Sequence, residues 1–332
     1  MKKWMKIAIG VVAGLLVLVI AGGAFVGNYF LSYALVRSED GVAGGDREVA
    51  NEVGVSADES TIGKNRRAQD EATAAWLAGA ASEEWSLTSA DGLKLAATCY
   101  PAAAGNHRWV IAVHGYTSSQ ESMQDTAQHY AEQGYSVLTP DLRAHGKSEG
   151  QYIGMGWLDR QDLLLWIDRV IERDAEAEIV LHGVSMGAAT VMMTAGEETL
   201  PARVKAVVED CGYTDVQSVF ANELKLRFGL PPFPIMNCFN IVSGLRAGYT
   251  CTEASAVKQV MKSRVPILFI HGDADDFIPV EMGEEVYLAA ACEKELLIVE
   301  GAGHAEAAYA DPAAYYRKVF DFVGRYVSGD AA

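Results

Sequence analysis

Cysteine is scarce in this chain and is not arranged to hold a metal. Five cysteines occur in 332 residues, Cys99, Cys211, Cys238, Cys251 and Cys292, with no Cys-x-x-Cys pair among them, so the spacing that marks a zinc site is missing. Basic residues are also short: 27 Lys and Arg face 44 Asp and Glu, a net charge of −17. Binding a phosphate backbone needs clustered Lys and Arg. The one basic cluster beyond the N-terminus, Lys64-Asn65-Arg66-Arg67, is too short to outweigh the acid around it. Nucleic acid is therefore not an expected partner, and the acidity reads as solubility and mutual repulsion. Internal repeats are lacking, as is a second long apolar run.

The one long apolar run is at the start. Lys2, Lys3 and Lys6 precede an uncharged stretch from Ile7 to Gly27, about the twenty residues needed to cross a bilayer core. Ala21-Gly22-Gly23-Ala24 offers a small-residue cleavage site. The length of the run and the aromatic rim Phe25, Tyr29, Phe30 and Tyr33 favour an uncleaved signal anchor over residues 1–36. Lysines before the span and acidic residues soon after it put the N-terminus in the cytoplasm and the rest outside. Residues 37–83, rich in Gly, Ala, Ser and acid, read as a tether that holds the body off the membrane. Within it, 69–77 is a candidate helix returning to the core through Trp76. An extracytoplasmic location permits a disulfide; Cys238 with Cys251 is the pair to weigh against free buried thiols.

From residue 84 to about 330 the pattern is that of a folded body. Asp91-Gly92 turns a hairpin between apolar runs over 85–88 and 93–100. Strand-length apolar runs then follow over 109–113, 135–139, 179–181, 204–208, 265–270 and 296–299. Helical segments alternate with them over 123–133, 159–173, 188–197, 281–292 and 312–326. Such alternation predicts an α/β fold: a mostly parallel eight-stranded sheet flanked by helices, the hairpin forming one edge. The connection after Asp210 is too long for a plain loop. It reads as a small cap over about 212–258, with one or two helices. Its apolar stretch Phe228-Gly229-Leu230-Pro231-Pro232-Phe233 either lines a pocket or packs the cap onto the body.

Gly183-Val184-Ser185-Met186-Gly187 lies between the strand over 179–181 and the helix that follows. Strand, Gly-x-Ser-x-Gly and helix together are the context of a nucleophile elbow, where small neighbours allow a sharp turn and the helix N-terminus faces developing negative charge. A serine hydroxyl needs a base, and the base an orienting carboxylate. Both follow just beyond later strands: His271-Gly272-Asp273-Ala274-Asp275-Asp276-Phe277-Ile278-Pro279, then Glu300-Gly301-Ala302-Gly303-His304.

On these motifs the body resembles an α/β hydrolase over residues 85 to 327. The resemblance of His-Gly-x-x-Asp-x-x-Ile-Pro to the family's acid loop selects Asp275 over Asp273 and Asp276. A rarer arrangement would use Asp210. Gly-x-Gly-His marks His304 as the base of Ser185. By the same resemblance, backbone N–H groups of Met186 and of Tyr116, in His114-Gly115-Tyr116-Thr117, form the oxyanion hole. Ala144 departs from the family, standing where its 141–148 loop usually has glycine. His114, His182 and His271 read as loop-shaping residues, and His107 and His129 as surface ones. Neither metal nor organic cofactor is implied.

The function expected is ester or thioester hydrolysis on a small molecule or short peptide, the cytoplasmic membrane being a partner through the N-terminal helix. The N-terminal anchor and short cap also resemble bacterial extracytoplasmic hydrolases grouped with serine aminopeptidases and prolyl-oligopeptidase-like enzymes. A peptidase of aminopeptidase type would need a cap carboxylate such as Glu223 or Glu253 for the substrate amine. An acyltransferase would use the same triad and shut out water. A binding module would have lost a triad member, and a dehalogenase would carry Asp where Ser185 stands.

Overall fold

The computed structural model describes residues 3–37, 60–103 and 105–328. Eight strands form one sheet: β1 (Glu83–Thr88), β2 (Lys94–Tyr100), β3 (Arg108–Val113), β4 (Ser136–Pro140), β5 (Glu178–Val184), β6 (Val204–Asp210), β7 (Ile267–Gly272) and β8 (Lys294–Val299). Their order is β1-β2-β4-β3-β5-β6-β7-β8. β1 pairs antiparallel with β2, and β2 with β4; all other pairs are parallel. The inner strands are apolar at nearly every position because both faces are covered.

One buried cluster joins Val110, Val180, Val208, Leu268 and Ile270 to Tyr130 of α3 (Gln124–Glu132) and Phe322 of α11 (Pro312–Val323). The other joins Ile111, Leu181, Val207 and Phe269 to Trp166 of α4 (Asp159–Arg173), Met192 of α5 (Met186–Ala195) and Val286 of α9 (Val280–Ala289). A short helix, α10 (Ala307–Ala310), precedes α11.

α1 (Lys3–Ala34) is the one helix among the described residues that is long and apolar enough to cross a membrane. Its 32 residues extend about 48 Å at 1.5 Å each, well beyond a hydrocarbon core of about 30 Å. Residues up to Gly22 are exposed, whereas Gly27, Leu31 and Leu35 are buried against the body. The chain leaving the helix is bonded down at once: Arg37 N–H donates to Gln151 O at 2.9 Å, and its guanidinium to Gly146 O at 2.7 Å. The end of α1 thus packs on the body through Gly27, Leu31 and Leu35, while Asn28, Tyr29 and Ser32 stay exposed. Of the expected tether, 38–59 lies outside the described residues.

Residues 60–77 are packed too. α2 (Thr61–Leu77) begins at Ser60, whose hydroxyl accepts from Gly63 N–H, so it is longer than the candidate over 69–77. Trp76 packs on Tyr100 with ring centroids 5.0 Å apart. Gln69 and Thr73 both bond Gln128. This coverage overturns the surface reading of His129, which is half-buried, stacked on Tyr316 and bonded to Gln69.

Between β6 and β7 stand α6 (Val216–Phe228), α7 (Pro232–Arg246) and α8 (Ala256–Val260). Asp215 caps α6 by accepting from Ser218 N–H, and Gly229 ends it with φ 63°. α7 lies against α1 where glycine leaves room: a Cβ on Gly27 would sit 2.4 Å from Cys238 O, and one on Gly23 3.3 Å from Cys238 Sγ. The five cysteines are unpaired thiols. Cys238 and Cys251, weighed as a disulfide, are apart because Cys238 faces α1 while Cys251 is buried within the cap.

Candidate active site

The turn from β5 into α5 carries Ser185 at φ 56° and ψ −116°, a left-side backbone conformation that a non-glycine residue adopts only under constraint. Steric space explains the flanking glycines. A Cβ on Gly183 would lie 2.2 Å from Gly187 O, and one on Gly187 2.0 Å from Val113 O. Ser185 N–H donates to Asp210 O at 2.8 Å, tying the turn to the end of β6.

Loops beyond β7 and β8 bring Asp275 and His304 to this turn. Ser185 Oγ lies 2.8 Å from His304 Nε2, and His304 Nδ1 lies 2.7 Å from Asp275 Oδ2. An ionised carboxylate only accepts, so the Nδ1 proton points at Asp275 and Nε2 is left to accept from the serine hydroxyl. All three residues are at most 8 % exposed. Burial pushes the Asp275 carboxyl up, but hydrogen bonds from His271, His304 and Ile278 N–H outweigh it and hold the group at about 2. Asp275 Oδ1 accepts from Phe277 N–H at 3.0 Å and Ile278 N–H at 2.8 Å.

Two other candidate acids, Asp273 and Asp210, are engaged elsewhere, and Asp276 is exposed. Asp273 accepts from Gly301 N–H. Asp210 Oδ2 accepts from the Tyr315 hydroxyl at 2.8 Å, and burial raises its carboxyl to about 6. His271 has a larger part than its sequence context indicated: Nε2–H donates to Ile278 O at 2.8 Å and sits 3.4 Å from Asp275 Oδ2. It thus braces the acid loop from below; its place four residues before Asp275 was the signal for this. Cys211 brings a sulfur close enough to Asp275 and His304 to form a candidate metal cluster. Burial raises its thiol well above the ordinary value, and both His304 nitrogens already have partners, so this group fits a metal poorly.

The loop after β3 passes beside the serine, a Cβ on Gly115 falling 3.4 Å from Ser185 Cβ. Two buried imidazoles pin that loop. His114 Nδ1–H donates to Gly115 O at 2.7 Å while Nε2 accepts from Leu142 N–H at 3.0 Å. His145 Nε2 accepts from Thr117 N–H at 3.2 Å while Nδ1–H donates to Arg143 O at 2.9 Å. Each therefore needs one bare nitrogen, and burial keeps both neutral, pushing His114 down to about 4 and His145 to about 3. They are rivets between two loops. Ala144 carries φ 62°, which costs about 1–2 kcal/mol that glycine would avoid.

The fold has counterparts among solved structures. An esterase from Pyrococcus furiosus superposes with TM-score 0.61 at 25 % identity, covering 74 % of this chain and 93 % of that one. The chain belongs to the α/β-hydrolase superfamily. The serine aminopeptidase family matches this hydrolase over residues 105–227. An acylaminoacyl peptidase of Pyrococcus horikoshii shares the fold with TM-score 0.57 at 17 % identity, over 75 % of this chain and 43 % of the other. The uncharacterized protein YqkD of Bacillus subtilis is 28 % identical over 215 residues, 64 % of this chain and 70 % of that protein.

Ser185 opens onto two cavities. One encloses about 770 Å³, its mouth included, and is walled by apolar groups from the cap and the core, including Met186, Phe220, Met236 and Phe239. Phe30, Tyr33 and Ala34 of α1 complete that wall. The Tyr116 hydroxyl donates to Ala34 O at 2.6 Å. The other cavity, about 1140 Å³ with its mouth, adds Arg66, Asp125 and Asp210 to Ser185, Tyr116 and His304. An arm of the hydrolase's pocket made by its N-terminal helix was not foreseen. The Gly23-x-x-x-Gly27 spacing, which lets helices approach closely, was the available signal.

Proposed function

We propose that this α/β hydrolase is a membrane-anchored serine hydrolase that cleaves carboxylic esters or thioesters. The observation that carries the proposal is the unbroken relay from Ser185 Oγ through His304 to Asp275, at 2.8 and 2.7 Å. Ser185 attacks the acyl carbonyl carbon while His304 Nε2 takes the hydroxyl proton. Asp275 holds the imidazole in that tautomer and stabilises the imidazolium. Met186 and Tyr116 N–H groups bind the tetrahedral oxyanion, each worth about a hundredfold in rate or more. The proton passes to the leaving oxygen or sulfur, and water delivered by His304 then frees Ser185 from its acyl group. No metal or organic cofactor enters this chemistry.

Esters rather than aminoacyl substrates are favoured by the cap carboxylates. Glu223 borders the apolar cavity but is paired with Arg227, while Glu253 accepts from Thr250 N–H at 2.8 Å. Each is thus already engaged within the cap through one carboxylate oxygen. α1 serves as the anchor, with Lys2, Lys3 and Lys6 at its N-terminal end in the cytoplasm and the catalytic body outside.

The test is turnover of p-nitrophenyl butyrate, a butyryl thioester and an alanyl anilide by the full chain. Ester or thioester cleavage with a burst of first product supports the acyl-enzyme route. Faster turnover of the anilide would replace this reading with the peptidase one.

A further inference from the structure

Three observations at the end of α1 go beyond anchoring, and all rest on the serine-hydrolase reading above. First, α1 enters the body as one helix, with Gly27, Leu31 and Leu35 buried against it and the chain bonded down at Arg37. An anchor in the bilayer therefore brings the body directly onto the membrane surface. Second, Phe30 and Tyr33 wall the apolar cavity that reaches Ser185, and Phe228 packs edge-to-face on both at 5.3 Å. Third, α7 leaves Ile241 and Leu245 exposed at 66 % and 82 %, on the helix that lies against Gly23 and Gly27. On α1, which packs against α7, Phe25 and Tyr29 are exposed as well, at 74 % and 50 %. A patch of this kind is unfavourable in water and suited to the acyl boundary of a membrane.

We infer that the membrane anchor completes the acyl-binding pocket, and that the substrate is a long-chain acyl ester resident in the surrounding bilayer. The acyl chain enters the apolar cavity between α1 and the cap. The polar head of the same amphiphile occupies the second cavity, beside Arg66 and Asp125. Ser185 Oγ bonds to the acyl carbon, the ester C–O bond breaks, and the alcohol leaves with the proton that His304 took from Ser185. Water then releases the free fatty acid. A water-soluble short ester would use only the part of the cavity nearest Ser185.

The experiment uses the full chain in phosphatidylcholine nanodiscs, with p-nitrophenyl butyrate and p-nitrophenyl laurate compared by kcat/KM. Each methylene buried by the pocket is worth about a fourfold gain, so laurate is expected to exceed butyrate by at least tenfold. Phe30→Ala and Gly27→Leu are each expected to lower the laurate-to-butyrate ratio about tenfold. Tyr33→Ala serves the same purpose should either of these fail to fold. Labelling rates with dodecyl and ethyl fluorophosphonates give the ratio independently of turnover. Butyrate cleavage with no preference for laurate, or a preference unmoved by the α1 variants, would overturn the inference and leave the hydrolase reading intact. No cleavage of either ester, with no labelling of Ser185, would overturn both.

Discussion

Replacing Asp275 by asparagine tests the assignment of roles at the site without removing a hydrogen-bonding shape. Asp275 Oδ1 accepts from two backbone N–H groups, Phe277 and Ile278. In Asp275→Asn the amide oxygen must stay on that side, because flipping it would leave both donors facing an NH₂ group, at about 1–3 kcal/mol each. The NH₂ group then faces His304 Nδ1 and donates to it, which drives the imidazole proton to Nε2. From there it points at Ser185 Oγ, and the base has become a donor. A loss of about 10⁴ in kcat is expected for this wrong tautomer, equivalent to about 5.4 kcal/mol at 1.36 kcal/mol per decade. Stability changes less. The folded carboxyl is held at about 2, below its ordinary 3.8, so the charge contributes about 2 kcal/mol at neutral pH. The sign is that of a depressed acid: the contribution is present above about pH 4 and lost as pH falls toward 2. Hydrolysis of p-nitrophenyl butyrate, with a melt to show that the variant is folded, reads both effects. Asp210→Asn is the comparison, since Asp210 bonds Tyr315 rather than His304. Activity of folded Asp275→Asn within tenfold of the parent, or a larger loss in Asp210→Asn, would refute the reasoning.

Burial raises the Glu209 carboxyl from its ordinary 4.5 to about 8, against opposing contributions from His271 and Gly212 N–H. The folded state therefore keeps a proton that the unfolded state loses, and Glu209 costs stability as pH rises through that window. Glu209→Gln should gain in Tm relative to the parent between about pH 5 and pH 8, and an unchanged difference would contradict the protonated carboxyl. Arg143 is 5 % exposed and grips Asp162 with two bonds at 2.7 and 2.8 Å. Arg143→Ala should cost about 3–5 kcal/mol by leaving that carboxylate buried alone, read by urea unfolding; a cost below about 1 kcal/mol would show that solvent reaches the pair. Gly187→Val should yield no folded protein, because even a Cβ there meets Val113 O at 2.0 Å. A soluble, cooperatively melting variant would mean that α5 stands further from β3.

The parallel sheet was legible because strands covered on both faces have few ways to be anything but continuous apolar runs, as 265–270 and 109–113 were. Candidate site residues stood out because each lies at a strand end in a short motif whose glycines have steric causes, such as Gly183 and Gly187. What sequence could not supply was contact between distant segments. His129 sits on a helix whose outer side looks solvated until α2 is known to cover it. Tyr116 read as an oxyanion donor whose phenol could border the pocket, but nothing local indicates that its hydroxyl meets Ala34, 82 residues earlier. That Gly27, Leu31 and Leu35 of the apolar helix pack on the body was hidden for the same reason. An apolar run longer than the bilayer reads as one span, and only packing reveals where the lipid ends and the protein begins.

The most direct test of an activated Ser185 is covalent capture. The full chain and Ser185→Ala are each treated with a fluorophosphonate and weighed intact. The account requires one adduct on the parent, localised to Ser185, and none on the variant. No adduct on a folded parent chain, or an equal adduct on Ser185→Ala, would contradict it.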